Sequence, residues 1–315
     1  MFWGDKIVIA VGGGKGGIGK STFSANLGVS MASRGKRVVV IDADLGAANL
    51  HTILGVRYPE KTLDDFLSKR NPDLESTLVD TSYANLRLLS SASDVLSLAS
   101  PNYTERQRLF KAIQKLKVDV IIFDIAAGTQ QRATDFFSLA PIGIILVEPV
   151  PTSLENAFSF LKNLLVRGLL RRFYHDKEIT AFIQNTVDPR SNEKILHFSD
   201  LLLKLEEKAP AKVSAYRQLF LEGVCKMYLV VNSLKHQSQI QVAEKFTRII
   251  KRYLALNMDV LGLLPYEAAM DDTVISRTPF VVKYPQSAYA KSIADIVVKI
   301  NAIKPLSEEV AGAAD

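Results

Sequence analysis

A single cysteine, Cys225, stands among 315 residues, so no internal disulfide can form, and a reducing compartment suits the chain. Histidine is nearly as scarce. The four, His51, His175, His197 and His236, are scattered without the spacing of a zinc site and read as ordinary surface or core residues. Long apolar runs are missing as well: nothing approaches about eighteen uninterrupted apolar residues, so no segment reads as membrane-spanning. The first strand-like run begins within about five residues of the start, which leaves no room for a signal or transit peptide. A cytoplasmic location is expected.

What remains is the composition of an ordinary globular chain, 48% hydrophobic and 23% charged, long enough to bury a substantial core. The net charge of +6 is unevenly placed. Between Pro151 and Asn257 there are seventeen Lys and Arg against ten Asp and Glu. That local surplus suits either a solvated helical face or an acidic partner: nucleic acid, an anionic membrane surface or an acidic protein face.

The organising stretch is Gly-Gly-Gly-Lys-Gly-Gly-Ile-Gly-Lys-Ser-Thr, from Gly12 to Thr22. It lies between an apolar run at 7–11 and an amphipathic segment starting near Ser21, the strand, loop and helix start that a phosphate-binding loop needs. Gly14, Gly19, Lys20 and Ser21 satisfy the G-x-x-x-x-G-K-[ST] spacing. Glycines let backbone N–H groups close on phosphate oxygens, and the helix start adds the positive end of its dipole. Lys20 is placed to reach the β and γ phosphates, and the Ser21 hydroxyl to ligate Mg²⁺. Gly16, Gly17, Ile18 and Thr22 complete the binding loop.

A second lysine inside the glycine run, Lys15, is unnecessary for an ordinary phosphate loop. With it the loop resembles the deviant Walker A motif K-G-G-x-G-K-[ST] of the MinD/ParA family of ATPases. In that family the first lysine contacts the nucleotide held by the partner subunit, so the resemblance implies that Lys15 acts in trans in a homodimer formed with ATP. Iron–sulfur relatives of the same class hold their clusters with cysteine pairs that this chain lacks.

Asp42-Ala-Asp44-Leu-Gly-Ala-Ala-Asn49 follows directly on a β-branched run at 37–41, where a carboxylate faces the crevice beyond the strand ends. Asp44 is there to orient water or act through Mg²⁺. The resemblance, through the family's D-x-D-x-G-x-x-N segment, implies that Asp44 activates the attacking water and that Asn49 lies near the site of hydrolysis. Asp42 reads as structural, bonded to the phosphate loop. The run Asp119-Val-Ile-Ile-Phe-Asp124 has the Walker B pattern, placing Asp124 at the Mg²⁺ site. Gly128 then matches the family's second switch, with Gln130 and Gln131 nearby as candidates to position water. Asn232, after a strand at 227–231, and Pro265, after the last strand at 260–264, are implied to line the adenine pocket.

Other strands are expected at 86–90 and 142–147, and helices at 21–33, 62–67, 104–116, 154–173, 239–256 and 288–303. The alternation predicts an α/β fold, a doubly wound, mostly parallel sheet with helices on both faces. By resemblance it is a P-loop NTPase of the SIMIBI type in one domain, 1–303. A helical insertion at about 174–226, with helix-like runs at 194–208 and 213–221, interrupts the family pattern and is where a private protein partner would dock. The tail, 304–315, holds Glu308, Glu309 and Asp315 against one lysine, which argues against the basic membrane-binding helix of MinD and against more than a peripheral place at the inner membrane.

Within the family the segments Asp-Leu-Gly-Ala-Ala-Asn-Leu, Pro-Thr-Ser-Leu and Phe-Val-Val-Lys-Tyr-Pro-Gln-Ser resemble the flagellar-placement members, the FlhG group, although the leader with which those stimulate a GTPase partner is not expected here. The resemblance implies a Mg²⁺-dependent ATP switch that places or counts a cellular structure. The basic surplus keeps open a ParA-like partitioning ATPase that binds DNA without sequence preference.

Overall fold

The valine- and isoleucine-rich runs form a sheet buried on both faces. In the computed structural model, which describes residues 3–44, 49–91, 103–128, 131–188, 190–191, 195, 197–220 and 226–303, eight strands make one sheet. They are β1 (Ile7–Gly12), β2 (Val38–Asp42), β3 (Val79–Asp80), β4 (Leu86–Leu89), β5 (Val120–Asp124), β6 (Ile142–Val147), β7 (Lys226–Leu234) and β8 (Met258–Pro265). Their spatial order is β3-β4-β2-β5-β1-β6-β7-β8. Every pairing is parallel except that of β3 with β4.

The first helices along the chain are α1 (Lys20–Ala32), α2 (Leu50–Ile53), α3 (Leu63–Leu67), α4 (Tyr103–Lys115), α5 (Gln131–Phe137) and α6 (Pro151–Arg172). After them come α7 (Lys177–Val187), α8 (Phe198–Lys208), α9 (Pro210–Phe220) and α10 (Gln241–Leu254). The chain closes with α11 (Met270–Ser276), α12 (Phe280–Lys283) and α13 (Ala288–Asn301).

Alternate strand residues feed two separate cores. Ile9, Val11, Val38, Val40, Ile122 and Ile144 pack under α1, α2, α12 and α13. Val8, Val39, Ile41, Ile121, Phe123 and Ile145 pack under α3 to α6, α8 and α10. With both faces covered, the central strands β5 and β6 are buried at every residue, which is why they read as continuous apolar runs rather than as alternation.

Several boundaries differ from those expected. α6 starts at Pro151 rather than 154, because proline needs no hydrogen-bond partner at the first helical position. α10 ends at Leu254, where Ala255 turns left-handed at φ 56°. β7 runs on to Leu234 through a bulge, and α8 begins only at Phe198. The antiparallel β3 and the helix α7 were not foreseen. Cys225, Gln130 and the segment 304–315 lie outside the described residues. No helix among the described residues is long and apolar enough to cross a membrane.

Candidate nucleotide site

Parallel pairing brings the carboxyl ends of β1, β2, β5, β6, β7 and β8 to one edge of the sheet. Strand order diverges around β1, between β5 and β6, so the crevice of an open α/β sheet falls at the loop that follows β1. That loop enters α1 through Gly19, whose φ of 85° is left-handed and costly for a side-chain-bearing residue. No side chain caps α1, so its first N–H groups remain for an anion. Gly14 is required for a different reason: a Cβ there would run into the backbone of Asn156 in α6.

The two lysines of the loop have opposite surroundings. Lys20 is buried, and its Nζ donates to the Lys15 carbonyl at 3.1 Å. Burial holds its ammonium below the ordinary lysine value, against the opposing pull of Asp124 and Asp44. Lys15 is exposed on the same loop. Gly16 and Gly17 are exposed beside it, whereas Ile18 is buried beneath. Ser21 and Thr22, in the first turn of α1, are half-buried.

Asp124 closes β5 and is 2% exposed. It sits in register with Asp42 on the neighbouring strand. Ser24 donates its hydroxyl to Asp124 Oδ1 at 3.0 Å. Burial first, and then repulsion between the two carboxylates, pushes Asp42 up to about 7. Burial likewise pushes Asp124 up to about 6, against the opposing pull of the Ser21 and Ser24 hydroxyls and the charge of Lys20. Buried carboxylates that outnumber the one lysine facing them, beside a serine hydroxyl, are a donor set that fits a hard divalent cation. Among the described residues there is no group of three or more His, Cys, Asp or Glu suited to a metal. A Mg²⁺ site completed by phosphate oxygens and water needs no such group.

Asp42 does not reach the phosphate loop as expected. Its Oδ1 accepts from Asp44 N at 3.1 Å and its Oδ2 from Leu50 N at 3.2 Å, so it ties Asp44, just beyond β2, to the start of α2. A short acidic side chain at a strand end satisfies the nearest free N–H groups. Asp44 is half-buried, and its carbonyl accepts from Ser91 Oγ at 3.0 Å. Asn49 is exposed and precedes α2 without a side-chain capping bond. Gly128 has a φ of 92°, a left-handed turn after Asp124.

On the other side of β1, Asn232 lies where the β7–β8 register shifts, and its Nδ2 donates to the Ile18 carbonyl at 2.9 Å. Pro265 pairs with Leu234 at the same edge, which puts Asn232 and Pro265 on adjacent strand ends. The sequence reading missed Ser24, Ser91 and Asn26. Asn26 donates to the Thr22 carbonyl at 2.7 Å and accepts from Val281 N at 2.8 Å, tying α1 to α12. Of the three, Ser24 alone had a signal, one helical turn beyond Ser21.

Fold and loop together define a P-loop nucleotide-binding protein. Residues 9–280 match the model of the CobQ/CobB/MinD/ParA nucleotide binding domain, and the chain belongs to that family. Antiactivator FleN of Pseudomonas aeruginosa is 35% identical over 157 residues, 49% of this chain and 55% of that protein. The match thus spans about half the length of FleN. The uncharacterized ATP-binding protein MJ0547 of Methanocaldococcus jannaschii is 27% identical over 295 residues, 93% of this chain and 87% of that one. The septum site-determining protein MinD of Pyrococcus horikoshii, solved with Mg-ADP, superposes with a TM-score of 0.60 at 19% identity, covering 98% of this chain and 99% of MinD. At that identity the likeness concerns the fold alone.

Proposed function

We propose that this protein is a Mg²⁺-dependent ATPase switch that dimerises with ATP and controls the placement or number of a cellular structure. The observation that carries the reading is the contrast between the two lysines of one loop. Lys20 is buried and turned onto its own loop, whereas Lys15 is exposed, free to reach a nucleotide held by a second copy. The roles follow from position. Loop N–H groups from Gly14 to Ser21, with Lys20 and the partner's Lys15, hold the phosphates, and Thr22 adds a hydroxyl. Asn232 and Pro265 flank the base. Ser21 and Asp124, with Asp44 at the rim, would hold Mg²⁺, which when bound supplies neutralisation of the phosphate charge. Asp44 and Asn49 orient the attacking water, and Gly128 brings a backbone N–H toward the γ phosphate.

Slow hydrolysis suits a timer: turnover without a partner is expected at roughly 10⁻⁴ to 10⁻² per second, as in unstimulated GTPases. FleN and MinD support a regulatory output, and the segments resembling the FlhG group favour flagellar placement. The helices α7, α8 and α9 are the surface for a partner private to this chain.

Light scattering of the Asp44→Ala protein tests the switch. With ATP and Mg²⁺ a dimer is expected, and with ADP a monomer. A monomer at saturating ATP would overturn it. A dimer that binds any duplex DNA at low salt would instead favour a partitioning output.

A further inference from the structure

Ser24 lies on α1 three residues after Ser21, so both side chains look from one face of the helix toward the end of β5. They differ in access. Ser21 is half-buried at the mouth of the loop, whereas Ser24 is completely buried, 0% exposed. A hydroxyl at such a depth has no bulk water to bond. Ser24 directs its proton to Asp124 Oδ1 at 3.0 Å, a bond between two buried groups in which the acceptor carries charge when ionised. Asp124 ends β5 with its carboxylate buried, so the orientation of that carboxylate is set by the groups that hydrogen-bond to it.

We infer that Ser24 is a positioning residue for Asp124: by occupying Oδ1 it fixes the carboxylate so that the remaining oxygen and the Ser21 hydroxyl face the place where Mg²⁺ and phosphate meet. The inference rests on the proposed Mg²⁺-nucleotide reading of the site. Ser24 itself touches neither nucleotide nor cation. Its effect is therefore confined to how well Mg²⁺ supports nucleotide binding, a separation that a packing role would not produce.

The test is a titration of fluorescent mant-ADP binding against Mg²⁺, with a parallel measurement in EDTA. In the Ser24→Ala protein the Mg²⁺ needed for half-maximal binding is expected to rise about 10- to 100-fold, the usual effect of losing a group that orients a metal ligand. Affinity in EDTA should be unchanged. Ser24→Thr, which returns the hydroxyl, should bring the Mg²⁺ requirement back toward the wild-type value. Should Ser24→Ala fail to fold, Ser24→Cys, close in size and a weak donor, takes its place. An unchanged Mg²⁺ requirement overturns the inference. So does an equal loss with and without Mg²⁺, or a Thr variant that behaves like Ala. Failure of the wild-type protein to bind mant-ADP at all would be a different result, since it overturns the nucleotide reading itself.

Discussion

At the scale of single residues, the candidate site is held by side chains whose neighbours leave them one option. Gly14 faces the backbone of Asn156, Lys20 has the Lys15 carbonyl within reach, and Asn232 spends its amide donor on the Ile18 carbonyl. Asn156 and Asn232 come from α6 and β7, so the loop is shaped from outside as well as by its own glycines. Gly14 gives the sharpest prediction. Gly14→Ala must move either the loop or α6, at a cost of about 1–3 kcal/mol for overpacking, because the obstacle is backbone and cannot rotate away. The urea midpoint should fall and mant-nucleotide binding should be lost. Binding that survives intact would mean that loop and helix are not packed as described. That this stretch is a loop between a strand and a helix was legible from glycine and lysine spacing. That Gly14 is needed for space rather than for φ was not, since Asn156 lies over a hundred positions away.

Among the elements, the parallel sheet is tied at both ends. At the carboxyl end Asp42 ties Asp44 to Leu50 at the start of α2. At the opposite end Arg37 and Asp119 clasp the starts of β2 and β5: Arg37 donates from its backbone N at 2.8 Å and from Nη2 at 2.7 Å. The hydrogen bonds from Arg37 hold the Asp119 carboxyl down at about 2. A lowered carboxylate contributes stability above the unfolded value near 3.9, and that contribution is lost as pH falls from about 4 through about 2. Solvent screens the pair, so the effect is small. Asp119→Asn should lower the urea midpoint at pH 7, and the gap to wild type should narrow at pH 3. A gap independent of pH would show that the charge of the Asp119 carboxylate contributes nothing to stability. Among the helices, α9 docks on α6 through the Tyr216 hydroxyl, which donates to the Leu165 carbonyl at 2.8 Å. Strands and long helices were legible because period and apolar runs report burial directly. The helix α7 escaped notice because its buried positions, Ile179, Ile183 and Thr186, are few and one of them is polar.

For the whole molecule, two apolar cores on either side of the sheet pack the strands whose ends carry the candidate site. A ligand bound at that edge should therefore stabilise the entire fold. By mass action, Mg²⁺ with ATP at about a hundred times its Kd adds roughly 2.7 kcal/mol, so Tm should rise. Removing the cation with EDTA should abolish most of the rise, because the carboxylates at the site would then face the phosphates uncompensated. A Tm indifferent to Mg²⁺ would separate nucleotide binding from the Asp124 site. By itself the sequence determined the parallel α/β class, the phosphate loop, the two carboxylate-bearing strand ends and the membership of a nucleotide-binding family, because these depend on local period and on spacing within one turn. Only the tertiary structure decided that Asp42 bonds to Asp44 and Leu50, that Ser24 bonds to Asp124, and that Asn232 bonds to the Ile18 carbonyl. Those outcomes depend on which buried polar group lies nearest in space, and proximity between distant segments exists only once the sheet has been assembled.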